Sequence, residues 1–389
     1  MKKIALRCTA LFLSLLFLIL PVSALSSQEA VPAAVELTLP CKSAVLIEQT
    51  TGEILYEKNP DERLPIASVT KIMTLLLTME ALKTGTVSID ENVPISEVAA
   101  SMGGSQAYLE HGEVISMRDV LKAVFVSSAN DGAVALAEMI SGNVDSFVAA
   151  MNEKAAALGM HDTIFYNPTG LDDGETNLST ARDVAVMSKA LLAFDDIYEY
   201  TKIWIDSIRG GAFGLSNTNK LIRFYPGATG LKTGSTAKAK YCVSASAERN
   251  GLKLCAVVLA GESSADRFQA AKTLLDHGFA SYAFCQPEVP QLGEIRIWGG
   301  TQDRIIPKAQ NSGFLLPKSE ANGLEVKIEL PSELQAPVEA GQALGKILYQ
   351  KEGGVLREEV ITAETSIPAL VFGDILRRMF ALFFTGQYG

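Results

Sequence analysis

The stretch Ile66-Ala67-Ser68-Val69-Thr70-Lys71, followed by the apolar run Ile72, Met73, Leu75, Leu76, Leu77 and Met79, decides how the rest of the chain is read. A serine opening a helix, with a lysine three residues on, puts a hydroxyl and an amine on one face, one turn apart and within hydrogen-bonding reach. A serine hydroxyl is a weak nucleophile at neutral pH and needs a neighbouring base. An amine serves if burial or nearby cations keep it neutral. The competing reading is capping alone, because serine is among the residues that most often cap a helix N-terminus.

Two triplets further along bear on that choice. Ser128-Ala129-Asn130 follows the amphipathic stretch from Val120 to Val126, and Lys232-Thr233-Gly234 lies within the segment from Thr229 to Ser235, ahead of the strand-like run Tyr241 to Ala245. Ser-x-x-Lys, then Ser-x-Asn, then Lys-Thr-Gly is the signature of penicillin-interacting serine enzymes. On these residues the chain resembles the low-molecular-mass penicillin-binding proteins that are D-alanyl-D-alanine carboxypeptidases. The likeness runs from about Ala44 to the C-terminus.

The resemblance implies a transpeptidase/β-lactamase-like α/β fold, an antiparallel sheet with a helical region and the site between them. It implies removal of the terminal D-alanine from peptidoglycan pentapeptide stems through an acyl-enzyme, with β-lactam antibiotics as covalent inhibitors and no cofactor. Ser68 would be the nucleophile and Lys71 the base. Ser128 would relay a proton to the leaving amine, while Asn130 positions the substrate amide and Lys71. Lys232 would keep Lys71 neutral and draw an anionic substrate, Thr233 would bond a terminal carboxylate, and Gly234 would leave room for the substrate along the strand edge. The backbone N–H groups of Ser68 and Ser235 would form the oxyanion hole. Arg267, in Ala265-Asp-Arg-Phe, would help hold the free carboxylate; its alternative is an ordinary surface arginine. Ala129 stands where these enzymes often have glycine, and Thr169 where many have histidine.

Composition bounds the rest. At 389 residues the chain is long enough for two domains, each with its own core. Lys2, Lys3 and Arg7 precede an apolar run from Ala10 to Leu20 and the small-residue site Val22-Ser23-Ala24, which reads as a secretory signal peptide over 1–24. An uncleaved anchor helix is the alternative, though the apolar run is short for a span. The formal charge of −10 becomes more negative once those cations leave, which argues against nucleic acid as a partner. Of five cysteines, Cys8 leaves with the signal; Cys41, Cys242, Cys255 and Cys285 are too scattered for zinc. Cys242 and Cys255 lie in apolar runs, where either a disulfide or buried free thiols fit. A histidine triad is hard to build from His111, His161 and His277, none of which lies near a nucleophile elbow. No His-x-x-x-His pair suggests metal hydrolysis.

Taken in order, a linker over 25–40 leads to a β-hairpin from Ala44–Glu48 and Glu53–Glu57 around Gly52. The Ser68 helix runs to about Leu82. Ser116 and Thr180, each followed three residues later by aspartate, and Asp145 mark further helix starts. Strands return over Val243–Ser246 and Leu254–Leu259, and a helix from about Ala265 to Leu275 closes a domain spanning 41–284. A small all-β domain is expected over 285–366. The tail over 367–389 reads as an amphipathic helix with Pro368 in its first turn, Arg377 and Arg378 facing anionic headgroups, and Leu376, Met379, Phe380 and Phe383 on the apolar side. It suits a membrane surface; docking on its own protein or on a second copy is the alternative. These features place the protein outside the cell, on the outer face of the cytoplasmic membrane.

Two rival functions remain. A serine β-lactamase needs a second carboxylate base, yet the sequence reads Glu175-Thr-Asn-Leu-Ser179 in place of Glu-x-x-Leu-Asn. A non-catalytic wall-binding protein would have little reason to keep Ser68, Lys71 and Lys232 together.

Overall fold

The computed structural model describes residues 36–172, 174–310, 313–352 and 354–385. The signal peptide and most of the linker expected over 1–40 lie outside the described residues. The first sheet begins with the hairpin of β1 (Cys41–Glu48) and β2 (Ile54–Lys58). Gly52 takes the left-handed turn position at φ 82°, and the Glu48 carboxylate accepts from the Thr51 N–H and hydroxyl at 2.7 and 2.9 Å. After the helical region come β3 (Ala228–Thr236), β4 (Lys240–Arg249) and β5 (Leu252–Gly261). Sheet order is β2-β1-β5-β4-β3, antiparallel throughout. The Lys-Thr-Gly strand β3 is therefore an edge strand.

Both sheet faces are covered, which is why β1 and β5 read as continuous apolar runs instead of alternating ones. Val45, Ile47, Val257 and Leu259 join the main core beneath the helical region. On the opposite face lies the helix Ser264–Ser281, where a side chain on Gly278 would strike Leu254 and Leu46.

Helix α1 (Lys71–Thr84) is buried over most of its length, its last turn emerging at Lys83 and Thr84, and ends at Gly85 in the left-handed conformation, the usual helix stop. Ser116 and Thr180 cap their helices through the N–H groups of Asp119 and Asp183. Asp145, expected as a cap, instead lies in the first turn of Val144–Ala157, and Asn143 accepts the capping bond from Ser146. The expectation failed because Asn143 sits two residues earlier and is an equally good cap.

From Tyr282 the chain builds short sheets. The strand Tyr282–Cys285 pairs with Phe314–Pro317, so the change of architecture falls at the end of the preceding helix, three residues before the composition shift suggests. The strands Ala343–Lys351 and Gly354–Ala363 form the centre of a four-stranded sheet. Two small apolar clusters, around Ile295, Ile297 and Ile367 and around Phe314, Tyr349 and Ile361, form the cores here.

The terminal helix runs Phe372–Thr385, not from Pro368. Ile367 is fully buried and exchanges backbone bonds with Val338, the Thr301 N–H donates to Pro368, and the Leu370 N–H donates to Gly299. Those extended-chain bonds outcompete a helical first turn.

Candidate active site

Ser68 does not open the α-helix. It lies in a single 3₁₀ turn, Ala67–Thr70, and α1 begins at Lys71. Neither Ile66, which caps the turn, nor Ser68 supplies a capping bond, so the capping explanation for the serine fails. Ala67 is held at φ +46°, a strained value for a residue with a side chain. Two glycines grip this turn. A Cβ on Gly170 would overlap the Ala67 carbonyl, and one on Gly234 would lie 2.7 Å from the Ile66 carbonyl oxygen and 2.9 Å from the Ser68 nitrogen. Gly234 thus lets β3 close against the Ser68 turn. This is a second use, beside the room for substrate expected of it.

Lys71 reaches the serine: Nζ lies 3.0 Å from Ser68 Oγ. It also donates to Asn130 Oδ1 at 2.5 Å and to the Thr169 carbonyl at 2.7 Å. The side chain is fully buried, and burial, then the charge of Lys232, push its basicity well below the usual lysine range; Asp131 opposes them. A neutral amine has two N–H bonds and one lone pair. Two acceptors take the two N–H bonds, which leaves the lone pair for the Ser68 hydroxyl.

Ser128 ends the helical segment Ala123–Ser127 in the left-handed conformation, at φ 63°, and Asn130 opens the helix Asn130–Ser141. This corner turns both side chains inward. Asn130 Nδ2 donates to the Gly103 carbonyl at 2.7 Å, which fixes its oxygen towards Lys71. Lys232 Nζ donates to Ser128 Oγ at 2.8 Å and to the Thr233 carbonyl at 3.1 Å. Burial, then the Arg267 charge, lower Lys232 to about 7. The Thr233 hydroxyl donates to Thr218 Oγ1 at 2.8 Å. Ser235, by contrast, is exposed at the end of the strand.

Arg267 is neither a surface arginine nor free. It is buried, Nη1 donates to the Gly234 carbonyl at 2.9 Å and the Cys242 carbonyl at 3.3 Å, and its Nε has no partner. It braces β3 behind the Lys-Thr-Gly triplet.

Several contributors escaped sequence reasoning. Thr169, noted only as a departure, supplies a carbonyl to Lys71. Asn167 Oδ1 shapes that loop by accepting from the Thr169 N–H and hydroxyl and the Gly170 N–H, and Asn177 ties it to Thr70 at 3.0 Å. Asp131 accepts from the N–H groups of Ala107, Leu109 and Gly132, holding the 105–109 loop over the site. The only sequence signal was the turn-forming run Asn167-Pro-Thr-Gly170. Glu175 is exposed. Cys41, Cys242, Cys255 and Cys285 are all free, the last three buried. Among the described residues no group of three or more His, Cys, Asp and Glu side chains could hold a metal ion.

The D-alanyl-D-alanine carboxypeptidase family matches residues 28–263, and the penicillin-binding protein 5 C-terminal domain matches 288–369. The chain is 39% identical to D-alanyl-D-alanine carboxypeptidase DacF of Bacillus subtilis, over 95% of this chain and 96% of that protein. It is 32% identical to DacC of Escherichia coli, over 87% and 86%. Penicillin-binding protein 5 of Haemophilus influenzae superposes with a TM-score of 0.73 at 30% identity, covering 86% of this chain and 99% of that one.

Proposed function

The chain belongs to the D-alanyl-D-alanine carboxypeptidase family of low-molecular-mass penicillin-binding proteins, and on that premise we propose how its residues divide the work of this serine-type hydrolase. Ser68 Oγ attacks the carbonyl carbon between the two terminal D-alanines while its proton passes to Lys71 Nζ. The backbone N–H groups of Ser68 and Ser235 receive the oxyanion. The C–N bond then breaks, the leaving amine takes the proton that Lys71 received, relayed through the Ser128 hydroxyl, and D-alanine departs. Water attacks the remaining ester carbonyl, Lys71 takes its proton, the C–Oγ bond breaks, and Lys71 passes that proton to Ser68 Oγ.

The observation that carries this reading is the buried Lys71 amine held by Asn130 Oδ1 and the Thr169 carbonyl, with its third contact at the serine. The edge position of β3 supports substrate lying alongside it as an added strand, with Lys232 and Thr233 turned to the terminal carboxylate and Arg267 adding positive charge beside Lys232 from behind the strand. Ser68→Ala abolishes covalent labelling by a fluorescent penicillin and D-alanine release from a pentapeptide, with the fold intact. Lys71→Ala loses acylation. Covalent labelling that persisted in Ser68→Ala would move the nucleophile elsewhere. Slow hydrolysis of the penicilloyl-enzyme separates this activity from a β-lactamase's.

The protein is also proposed to act outside the cell, on peptidoglycan stems, held peripherally to the membrane by its terminal helix. At 14 residues that helix is about 21 Å long, short of the ~30 Å hydrocarbon core. Among the described residues no single helix is long and apolar enough to span. Phe372, Met379, Phe380 and Phe383 are all more than half exposed, and each is worth about 1.5–3 kcal/mol at most on burial. Because Ile367 belongs to a core, the test is truncation after Leu370, not earlier. The truncated enzyme keeps full turnover of a soluble peptide and no longer sediments with anionic vesicles; continued sedimentation would sink the anchor.

A further inference from the structure

A cavity of about 680 Å³ opens between the strand Ile295–Trp298 and the start of the terminal helix. Its wall carries Arg296, Trp298, Arg304 and Arg378, with Glu294 and Asp303 between them. Two of these arginines are engaged. Arg304 pairs with Glu294 at 2.6 Å, and Arg378 donates to the Thr301 carbonyl at 2.5 Å and meets Asp303 at 3.4 Å. Arg296 makes no ion pair or side-chain hydrogen bond among the described residues; its guanidinium lies 3.8 Å above the Trp298 ring. Trp298 is 48% exposed, and its indole N–H donates to Glu333 at 2.8 Å. The cavity therefore offers one uncommitted guanidinium fork on an aromatic platform.

Its depth relative to a membrane follows from the helix. Arg378 bonds back to the 301–303 turn, which turns the polar side of the helix to the domain and leaves Phe372, Met379, Phe380 and Phe383 outward. An interfacial helix sinks its apolar face ~5–10 Å into the headgroup boundary and is about 10 Å across. Its polar side, and the cavity beside it, then stand level with the headgroups, where tryptophan rings also settle.

The geometry points to this cavity as the seat of an anionic phospholipid headgroup, its phosphate taken by the Arg296 fork and its glycerol lying against Trp298. The assignment rests on the proposed surface position of the helix. Arg296 is exposed at the rim, and its contact differs from nonspecific attraction because a fork in contact with phosphate at about 2.8 Å lies within the ~3 Å Debye length of 1 M salt, whereas a charge held only near the surface does not.

The test uses the full chain and phosphatidylcholine vesicles with and without phosphatidylglycerol, comparing wild type with Arg296→Gln, Arg296→Lys and Arg377→Gln. Arg377 is the control, since its side chain is 84% exposed on the helix and outside the cavity. Each neutral variant weakens sedimentation about fivefold at low salt. In 1 M salt the Arg377→Gln defect vanishes, the Arg296→Gln defect persists, and Arg296→Lys falls between. In a Trp204→Phe background, glycerophosphoglycerol shifts Trp298 emission, and Arg296→Gln abolishes the shift. Turnover of a soluble pentapeptide, unchanged in all variants, reports intact folding. Arg296→Gln behaving like Arg377→Gln at both salt concentrations overturns the headgroup seat alone. So does an emission shift produced as well by inorganic phosphate, or by a peptidoglycan disaccharide instead. Wild type that fails to sediment at all overturns the anchor together with the seat.

Discussion

Replacing Lys232 by methionine should stabilise the protein while destroying its activity, and the size of the gain can be worked from the site. Burial and the neighbouring Arg267 charge lower Lys232 from 10.5 to about 7. Folding at pH 7 forces a lysine that is fully charged in the unfolded chain into a place where only about half its population keeps the proton. At about 1.4 kcal/mol per pH unit, that costs on the order of 4 kcal/mol. Methionine fills similar volume without charge, but it forfeits the amine's bonds to Ser128 Oγ and the Thr233 carbonyl, about 1 kcal/mol each. The net gain is about 2 kcal/mol, or roughly 4–8 °C for a domain of this size. Between pH 7 and 10.5 the unfolded chain binds a proton that the folded enzyme lacks, so wild-type stability rises with pH across that window and the variant's lead shrinks. Below pH 7 the lead is constant and full. Thermal unfolding of the full chain by circular dichroism at pH 6, 7.5 and 9 measures this, following the transition that penicillin binding shifts. A lead that does not change with pH, or a variant less stable at pH 6, would refute the reasoning.

Two further predictions test the strand. In Gly234→Ala the new methyl meets the Ile66 carbonyl and the Ser68 nitrogen, so the nucleophile turn must shift; acylation by a fluorescent penicillin slows about 100-fold, the scale on which small misplacements act, and a normal rate would show that the turn tolerates displacement. For Thr233→Val, amidating the substrate's C-terminus costs the wild type far more than the variant in kcat/KM, because only the wild type has a carboxylate-binding hydroxyl to lose. Equal losses would remove that role from Thr233.

Much of the site was legible because its residues come in short motifs whose spacing is local. Ser68 and Lys71 are one turn apart whether the turn is 3₁₀ or α, so the wrong helix type did not spoil their contact. For Arg267 the sequence carried less. Its place in the helix was right, but what its guanidinium faces depends on how that helix lies across β3 and β4, and there it meets two backbone carbonyls. Asp145 and Pro368 were misplaced because local propensity lost to an equally good cap two residues earlier and to the pairing of the adjacent Ile367 with the distant Val338.

The sequence by itself determined the three motifs, the exposed apolar helix, the order of hairpin, helices and strands, and the family they announce, since each is carried by residue type at short spacing. Only the tertiary structure decided that Lys71 can be a base. Its two N–H acceptors, Asn130 Oδ1 and the Thr169 carbonyl, lie 59 and 98 residues away, and the second cation that opposes its charge, Lys232, comes from the far edge of the sheet. A lysine's basicity is set by how much water reaches it and which charges stand near it, and both follow from the way the whole chain closes around the amine.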